Sequence, residues 1–212
     1  MQLDDVLIKR SSIRNYSNKK VGNELIAEII HAGTLAPSSG NLQNWVFIIV
    51  QDEDKKTEVA NAALKQYWLI KAPVLIVVCA NLENISRFYS KRGELLYSIQ
   101  NCAACIENML LKATDLGLGS CWIGAFDENA LSRTLKLPDP IRAQAIISIG
   151  YATESPGNKK RYPIQNLTFF EEYGGKKQEF LPLRKHFHPE KEAKEAKYGL
   201  LRLVNKLKKK KS

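Results

Sequence analysis

The 212-residue chain is poor in several things, and each shortage narrows the reading. No apolar run approaches the ~20 residues that a membrane-spanning helix needs. The longest, Val74–Ala80, has the length of a buried strand. Met1-Gln2-Leu3-Asp4-Asp5 lacks the basic start and apolar stretch of a secretory leader, so a cytoplasmic protein is expected. No Gly-x-Gly-x-x-Gly follows the first strand-like run, which argues against a dinucleotide-binding Rossmann unit. The four cysteines, Cys79, Cys102, Cys105 and Cys121, sit in apolar or helical contexts and are expected to be thiols. Cys102-Ala103-Ala104-Cys105 has the form Cys-x-x-Cys. It falls inside the helical series Leu95, Ile99, Cys102, Ile106, Met109, Ala113 and Leu116, with no further ligands at suitable spacing. It reads as small residues at a close helix contact, and no metal site is expected. Of the three histidines, His31 lies in a predicted helix, and His186 and His188 lie near the C-terminus. None suggests an acid or base.

The formal net charge of +10 is unevenly placed. Residues 184–212 hold eleven Lys/Arg and three Glu, so residues 1–183 carry only about +2. The body is therefore not a general nucleic-acid surface. No aromatic residue except Tyr198 interleaves with the lysine-rich end, which argues against nucleic acid there too. From Glu190 to Lys197 the chain is a strong helix former, followed by Leu200, Leu203, Val204 and Leu207 on one face and then Lys208–Lys211. A basic amphipathic helix is expected. Docking on its own body or on a partner subunit is its expected use, and contact with an anionic membrane surface is the alternative.

Periodicity predicts a short helix around Leu3–Leu7 and a second one capped by Asn23. It then predicts a strand at Val46–Val50, a helix from Asp52 to about Gln66, and a strand at Val74–Ala80. A helix of some six turns over Glu94–Leu116 follows, then a short strand at Cys121–Ile123. A helix capped by Asp127 runs to about Leu135, with strands at Ala143–Ile149 and Leu167–Phe170. Ile85-Ser86-Arg87-Phe88-Tyr89 reads as a loop able to cover a site. These patterns alone reach only a mixed α and β fold.

Four segments carry the candidate chemistry. In Lys9-Arg10-Ser11-Ser12-Ile13-Arg14, two guanidinium groups flank two hydroxyls, a donor set suited to a phosphate. Pro37-Ser38-Ser39-Gly40-Asn41-Leu42-Gln43-Asn44-Trp45 presents amides that donate and accept at once, which suits the edge of a planar ligand. In Gly117-Leu118-Gly119-Ser120-Cys121-Trp122-Ile123-Gly124, the glycines allow a close approach of backbone to a ligand, or a helix cap at Gly117. Gly157-Asn158-Lys159-Lys160-Arg161 is a second basic cluster.

Together, in order and spacing, these segments resemble the nitroreductase family of FMN-dependent oxidoreductases, from Val6 to about Tyr173. Two departures stand out: Ser11 where the family often has a second basic residue, and Asn44 where it often has proline. The resemblance implies an α+β fold, a central, mainly antiparallel sheet sandwiched by helices, in a domain-swapped homodimer with FMN at the dimer interface. It implies an FMN-binding domain over residues 1–175 and a C-terminal extension over 176–212. On the family pattern Arg10, Ser11, Ser12 and Arg14 hold the phosphate and ribityl region, and Lys159 and Arg161 complete the grip. Ser38, Ser39, Asn41 and Gln43 contact the ring or ribityl chain, from the other protomer. Backbone groups at Trp122, Ile123 and Gly124 face the ring edge, and Gln66 reaches its pyrimidine end. No side chain is expected to be catalytic, because the flavin carries the chemistry. NADH or NADPH would reduce FMN by a ping-pong mechanism, and a nitroaromatic, quinone or related small-molecule acceptor would reoxidise it. The alternatives are a specialised family flavoenzyme (a dehalogenase, an azoline dehydrogenase or a flavin-fragmenting enzyme) and a non-catalytic flavin-binding protein targeted by its basic tail.

Overall fold

The structure is a computed structural model that describes residues 1–155, 157 and 159–175. Its helices are α1 (Leu3–Lys9), α2 (Asn23–Thr34), α3 (Glu53–Ala62), α4 (Leu82–Arg92), α5 (Ser98–Asp115) and α6 (Glu128–Leu135). Its strands are β1 (Trp45–Val50), β2 (Val74–Asn81), β3 (Gly119–Ile123) and β4 (Ile141–Gly150). The strands form one sheet in the order β1-β2-β4-β3, antiparallel throughout. No helix among the described residues is long and apolar enough to cross a membrane.

Side chains alternate across a strand, and β2 uses both faces. Val74, Ile76, Val78 and Ala80 join Ile147 and Ile149 of β4 under α2 and α5. Leu75, Val77 and Cys79 join Ile146, Cys121 and Ile123 under α3 and α6. The sheet is thus covered by helices on both sides, as the family resemblance implies. The run Val74–Ala80 is wholly buried because its strand is central and has no wet face.

Local chemistry sets the boundaries. Asp52 and Asp127 cap α3 and α6, their carboxylates accepting from the backbone N–H groups of Lys55 and Ala130. Several expectations need correction. The residue at the N-cap of α2 is Gly22, not Asn23. The helix from Asp52 ends at Ala62, because Leu64 and Lys65 are both left-handed and a 3₁₀ segment, Tyr67–Lys71, follows. Ile85–Tyr89 is not a loop but part of α4. The long helix begins at Ser98, joined to α4 through a π-helical turn at Gly93–Tyr97. Leu167–Phe170 is not a strand. The predicted amphipathic helix at 190–212 lies outside the described residues.

All four cysteines are buried thiols. Cys105 lies against Gly33 of α2. A Cβ placed at Gly33 would come within 2.9 Å of its sulfur and 2.7 Å of Met109 Cγ, so the small pair does mark a close helix contact. Burial pushes the Cys79, Cys102 and Cys105 thiols up to about 12. Alkylation at pH 8 should therefore be slow in the native protein and fast on unfolding. A raised folded value also means stability that is present below the unfolded value, about 8.5, and is lost as pH climbs toward 12. Urea midpoints at pH 8 and pH 10.5 would test the sign; an equal or higher midpoint at pH 10.5 would contradict it.

Contacts divide the chain into two compact units, Met1–Gly157 and Asn158–Ser212. In the second, a short 3₁₀ turn at Ile164–Asn166 precedes Phe169 and Tyr173, whose rings pack with centroids 5.0 Å apart.

Candidate active site

The basic N-terminal segment docks on the open edge of β3. Ser12 pairs with Ser120 as a parallel bridge, and the N–H of Ile13 donates to the Ser120 carbonyl at 2.9 Å. The segment continues to Tyr16, whose hydroxyl donates to the Ile13 carbonyl at 2.6 Å and pairs with Ser148 Oγ at 2.8 Å. Burial raises that phenol's pKa. Two glycines make the docking possible. Gly119 and Gly150 face each other across β3 and β4, with Ile13 against the first and Tyr16 against the second. Sequence reasoning assigned the glycines of Gly117–Gly124 to the approach of a ligand or, at Gly117, to a helix cap. At Gly119 the closely approaching group is the protein's own Ile13.

Arg10, Ser12 and Arg14 come together around Cys121. Burial raises the Cys121 thiol's pKa, while the Arg14 charge, the Ser12 hydroxyl and the Arg10 charge pull it back down. Arg14 lies over the Trp68 ring at 5.8 Å, and its backbone N–H donates to Glu154 at 3.0 Å. Those contacts hold Glu154 below the usual carboxylate range, first through that backbone N–H and then through Asn15. Arg10 stands 3.7 Å from Glu107 of α5. Ser11, half-buried, is part of the same docked segment.

The residues after β3 close the same region. The Gln66 amide nitrogen donates to the carbonyls of Ala63 and Ala125, at 2.9 and 3.0 Å, which ties it to the turn after Gly124. Because Ser120 turns its carbonyl outward to Ile13, strand alternation turns the N–H of Trp122 outward and that of Ile123 toward β4. Trp122 is exposed and Ile123 buried. Ser120 Oγ is buried without a hydrogen-bond partner.

Ser38, Ser39, Asn41 and Gln43 form a separate group at the start of β1. Gly40, Asn41 and Gln43 have φ of 58, 55 and 47°. The Gln43 N–H donates to Ser38 Oγ at 3.0 Å, and its side-chain amide donates to Asn41 Oδ1 at 3.2 Å. Both amide side chains belong to exposed residues. Ser39 is held through its N–H and hydroxyl by Asn101 Oδ1 of α5, at 3.0 and 3.2 Å. Asn101 Nδ2 in turn donates to Asn44 Oδ1 at 2.8 Å. Sequence reasoning missed Asn101. Its signal was a polar residue next to Cys102 in the long helix.

The two groups are not neighbours within one chain. β1 and β3 are opposite edges of the sheet, about 14 Å apart at three strand spacings. Trp45 begins β1 at the Arg142 end of β4, whereas Gly119 lies at its Gly150 end. Lys159 and Arg161 belong to the second unit, where Arg161 donates to the Lys160 carbonyl at 3.0 Å. No cluster of His, Cys, Asp or Glu able to hold a metal occurs among the described residues. Two open clefts, of about 590 and 680 Å³, lie between α3 and α6 and beside the start of α2, and no candidate site residue lines either.

Comparison with known proteins meets this geometry. Residues 7–151 match the nitroreductase family. A protein of Archaeoglobus fulgidus with the provisional name NADH dehydrogenase/NAD(P)H nitroreductase is 36% identical over 152 residues, 69% of this chain and 83% of that protein. A Bacillus subtilis FMN reductase [NAD(P)H] is 30% identical over 180 residues, 79% of this chain and 72% of that protein. The crystal structure of a provisionally named NADH oxidase from Clostridium acetobutylicum superposes with a TM-score of 0.70 at 32% identity, covering 80% of this chain and all of that one. With the antiparallel sheet and the docked basic segment, these matches establish that the chain belongs to the nitroreductase family.

Proposed function

We propose that the protein is an FMN-dependent oxidoreductase that takes electrons from NADH or NADPH and delivers them to a small-molecule acceptor, a nitroaromatic, quinone or related compound, as a cytoplasmic homodimer. The observation that carries this reading is the convergence of Arg10, Ser12 and Arg14 on the edge of β3, beside Gln66 and the Trp122–Gly124 backbone. Family membership supports the reaction class, and the name of the Bacillus subtilis relative supports the cofactor and donor.

The residues present fit the cofactor. Two guanidinium groups and a hydroxyl suit one terminal phosphate, which carries about −1.5 to −2 charge at neutral pH. Ser120 Oγ, a buried hydroxyl without a partner, lies in the strand that bears the docked segment. Lys159 and Arg161, which the family pattern gives to the same phosphate, belong to the second unit. The exposed amides of Asn41 and Gln43 suit a ring edge that mixes carbonyls and nitrogens. Their place at the far corner of the sheet supports a site completed by a second copy, one protomer giving the basic segment and its partner the amide loop. Leu7, Leu95, Ile99 and Trp122 are exposed and give such a dimer apolar surface to bury.

FMN, when bound, supplies the two-electron carrier. The protein's part is to hold and to polarise. Arg10 and Arg14 neutralise the phosphate, and Ser12 donates to it. The outward N–H of Trp122, with the backbone of Gly124 beside it, would offer fixed donors to the ring edge that gains electron density on reduction. No side chain is required as acid or base, and the exposed His31 of α2 lies in neither group.

The test is the purified protein itself. It is expected to be yellow, to release FMN by mass on heating, and to oxidise NADH or NADPH when an acceptor is added. Parallel double-reciprocal lines would mark the ping-pong order. FAD, or no flavin after reconstitution, would sink the reading. Bound FMN without NAD(P)H oxidation against a broad acceptor panel would leave a flavin carrier.

A further inference from the structure

We propose that Asn101 is a positioning residue for the cofactor: from inside the core, it locks the Ser38–Asn44 turn in the shape that presents Asn41 and Gln43. The inference rests on the flavin reading above. The turn has an unfavourable shape. Three of its residues, Gly40, Asn41 and Gln43, are left-handed; glycine and asparagine tolerate that region, while glutamine has no special fitness for it. A turn of this kind persists only when its surroundings over-determine it.

Asn101 supplies that determination from one side chain. Its Oδ1 takes both Ser39 donors, at 3.0 and 3.2 Å, on the entering side of the turn. Its Nδ2 takes Asn44 Oδ1, at 2.8 Å, on the leaving side. Both asparagines are buried, Asn101 at 4% exposure and Asn44 at 1%. The Asn44 carbonyl is fixed further by the Asn81 N–H at 2.7 Å, and the Leu42 carbonyl by Asn84 Nδ2 at 3.1 Å. Tyr89 packs under Gly40, so closely that a Cβ there would lie 2.7 Å from its hydroxyl.

Asn44 is also a departure from the family pattern, which often has proline there. Proline stiffens a chain by fixing its own φ. Here the same position is held by a buried amide pair instead. That pair is not an arrangement made for stability alone, because Asn44 Nδ2 is left buried without a partner. An unmade buried donor costs free energy that an apolar residue would not. What the pair does provide is geometry, with both sides of the turn tied to one rigid helix.

The experiment uses full-length protein stripped of cofactor and titrated with FMN and, separately, with riboflavin. Asn101→Leu is expected to weaken both ligands by the same factor, about tenfold or more for three lost hydrogen bonds. It should also change the visible circular dichroism of the bound flavin. Arg10→Ala should weaken FMN and leave riboflavin nearly unchanged, because riboflavin has no phosphate. Asn101→Asp keeps the acceptor for Ser39, and a rotated Asn44 amide can donate to it, so affinity should stay within about threefold of the parent. Should Asn101→Leu fail to fold, Asn44→Ala is read in the same way. Parent-like affinity and dichroism in the leucine variant would overturn the inference and leave the flavin reading standing. So would an aspartate variant as weak as the leucine one. Failure of the unsubstituted protein to bind either flavin would overturn the flavin reading itself.

Discussion

Replacing Arg10 and Arg14 together by alanine is expected to weaken FMN binding by roughly a hundredfold to ten-thousandfold while leaving the fold nearly intact. Each charge-assisted contact to a phosphate contributes about 1.5–3 kcal/mol, and each 1.4 kcal/mol is tenfold in affinity. The stability cost is small by comparison. Arg14 is exposed, and the Arg10–Glu107 pair, at 3.7 Å on the surface, contributes at most about 1 kcal/mol. The docking of the segment rests on other groups, the Ile13–Ser120 backbone bond and the buried Ile13 and Tyr16 side chains, and these are untouched. Titration of apo-protein measures the loss, and thermal unfolding of the same sample checks the fold. Salt adds a second signature: affinity should fall with ionic strength in the parent and much less in the variant. Unchanged affinity in the double variant would move the phosphate to another holder.

Much of this molecule was legible because its elements obey local rules. β2 reads as a continuous apolar run because both of its faces are covered. Asp52 and Asp127 announce their helices because a carboxylate can satisfy an N–H of the first turn. The errors have physical causes as well. Periodicity saw one helix over Glu94–Leu116, but a π-helical turn at Gly93–Tyr97 keeps the pattern apolar while shifting its face, and Leu95 ends up exposed. The helix after Asp52 seemed to reach Gln66 because nothing in Leu64-Lys65 forbids a helix; their left-handed backbone is imposed by the fold. The motifs nominate the candidate site residues, but spacing along the chain could not show that the amide group and the basic group sit at opposite edges of the sheet. That separation is a property of strand order β1-β2-β4-β3, which no local pattern encodes. Asn101 was unreadable for a similar reason: one asparagine in a long helix gains its role only from what packs against it.

The same dependence on packing makes Gly119 and Gly150 the positions where a single methyl-bearing side chain should do most harm to the site. They oppose each other across β3 and β4. A Cβ at Gly119 would stand 2.9 Å from Ile13 Cγ2, and one at Gly150 would stand 2.5 Å from Pro73 Cδ and 2.8 Å from Tyr16 Cδ1. Valine at either position is expected to cost about 1–3 kcal/mol through overpacking, a fall in Tm of roughly 2–4 °C per kcal/mol for a chain of this size. Gly119→Val should also weaken FMN, because Ile13 cannot retreat without drawing Arg10, Ser12 and Arg14 away from the β3 edge. Gly33→Val is the control. Its Cβ would meet Met109 Cγ at 2.7 Å between α2 and α5, so it should cost comparable stability. Folded Gly33→Val protein should nevertheless bind FMN as the parent does. Affinity losses that are equal in the two variants would show that binding follows global stability rather than the placement of the basic segment.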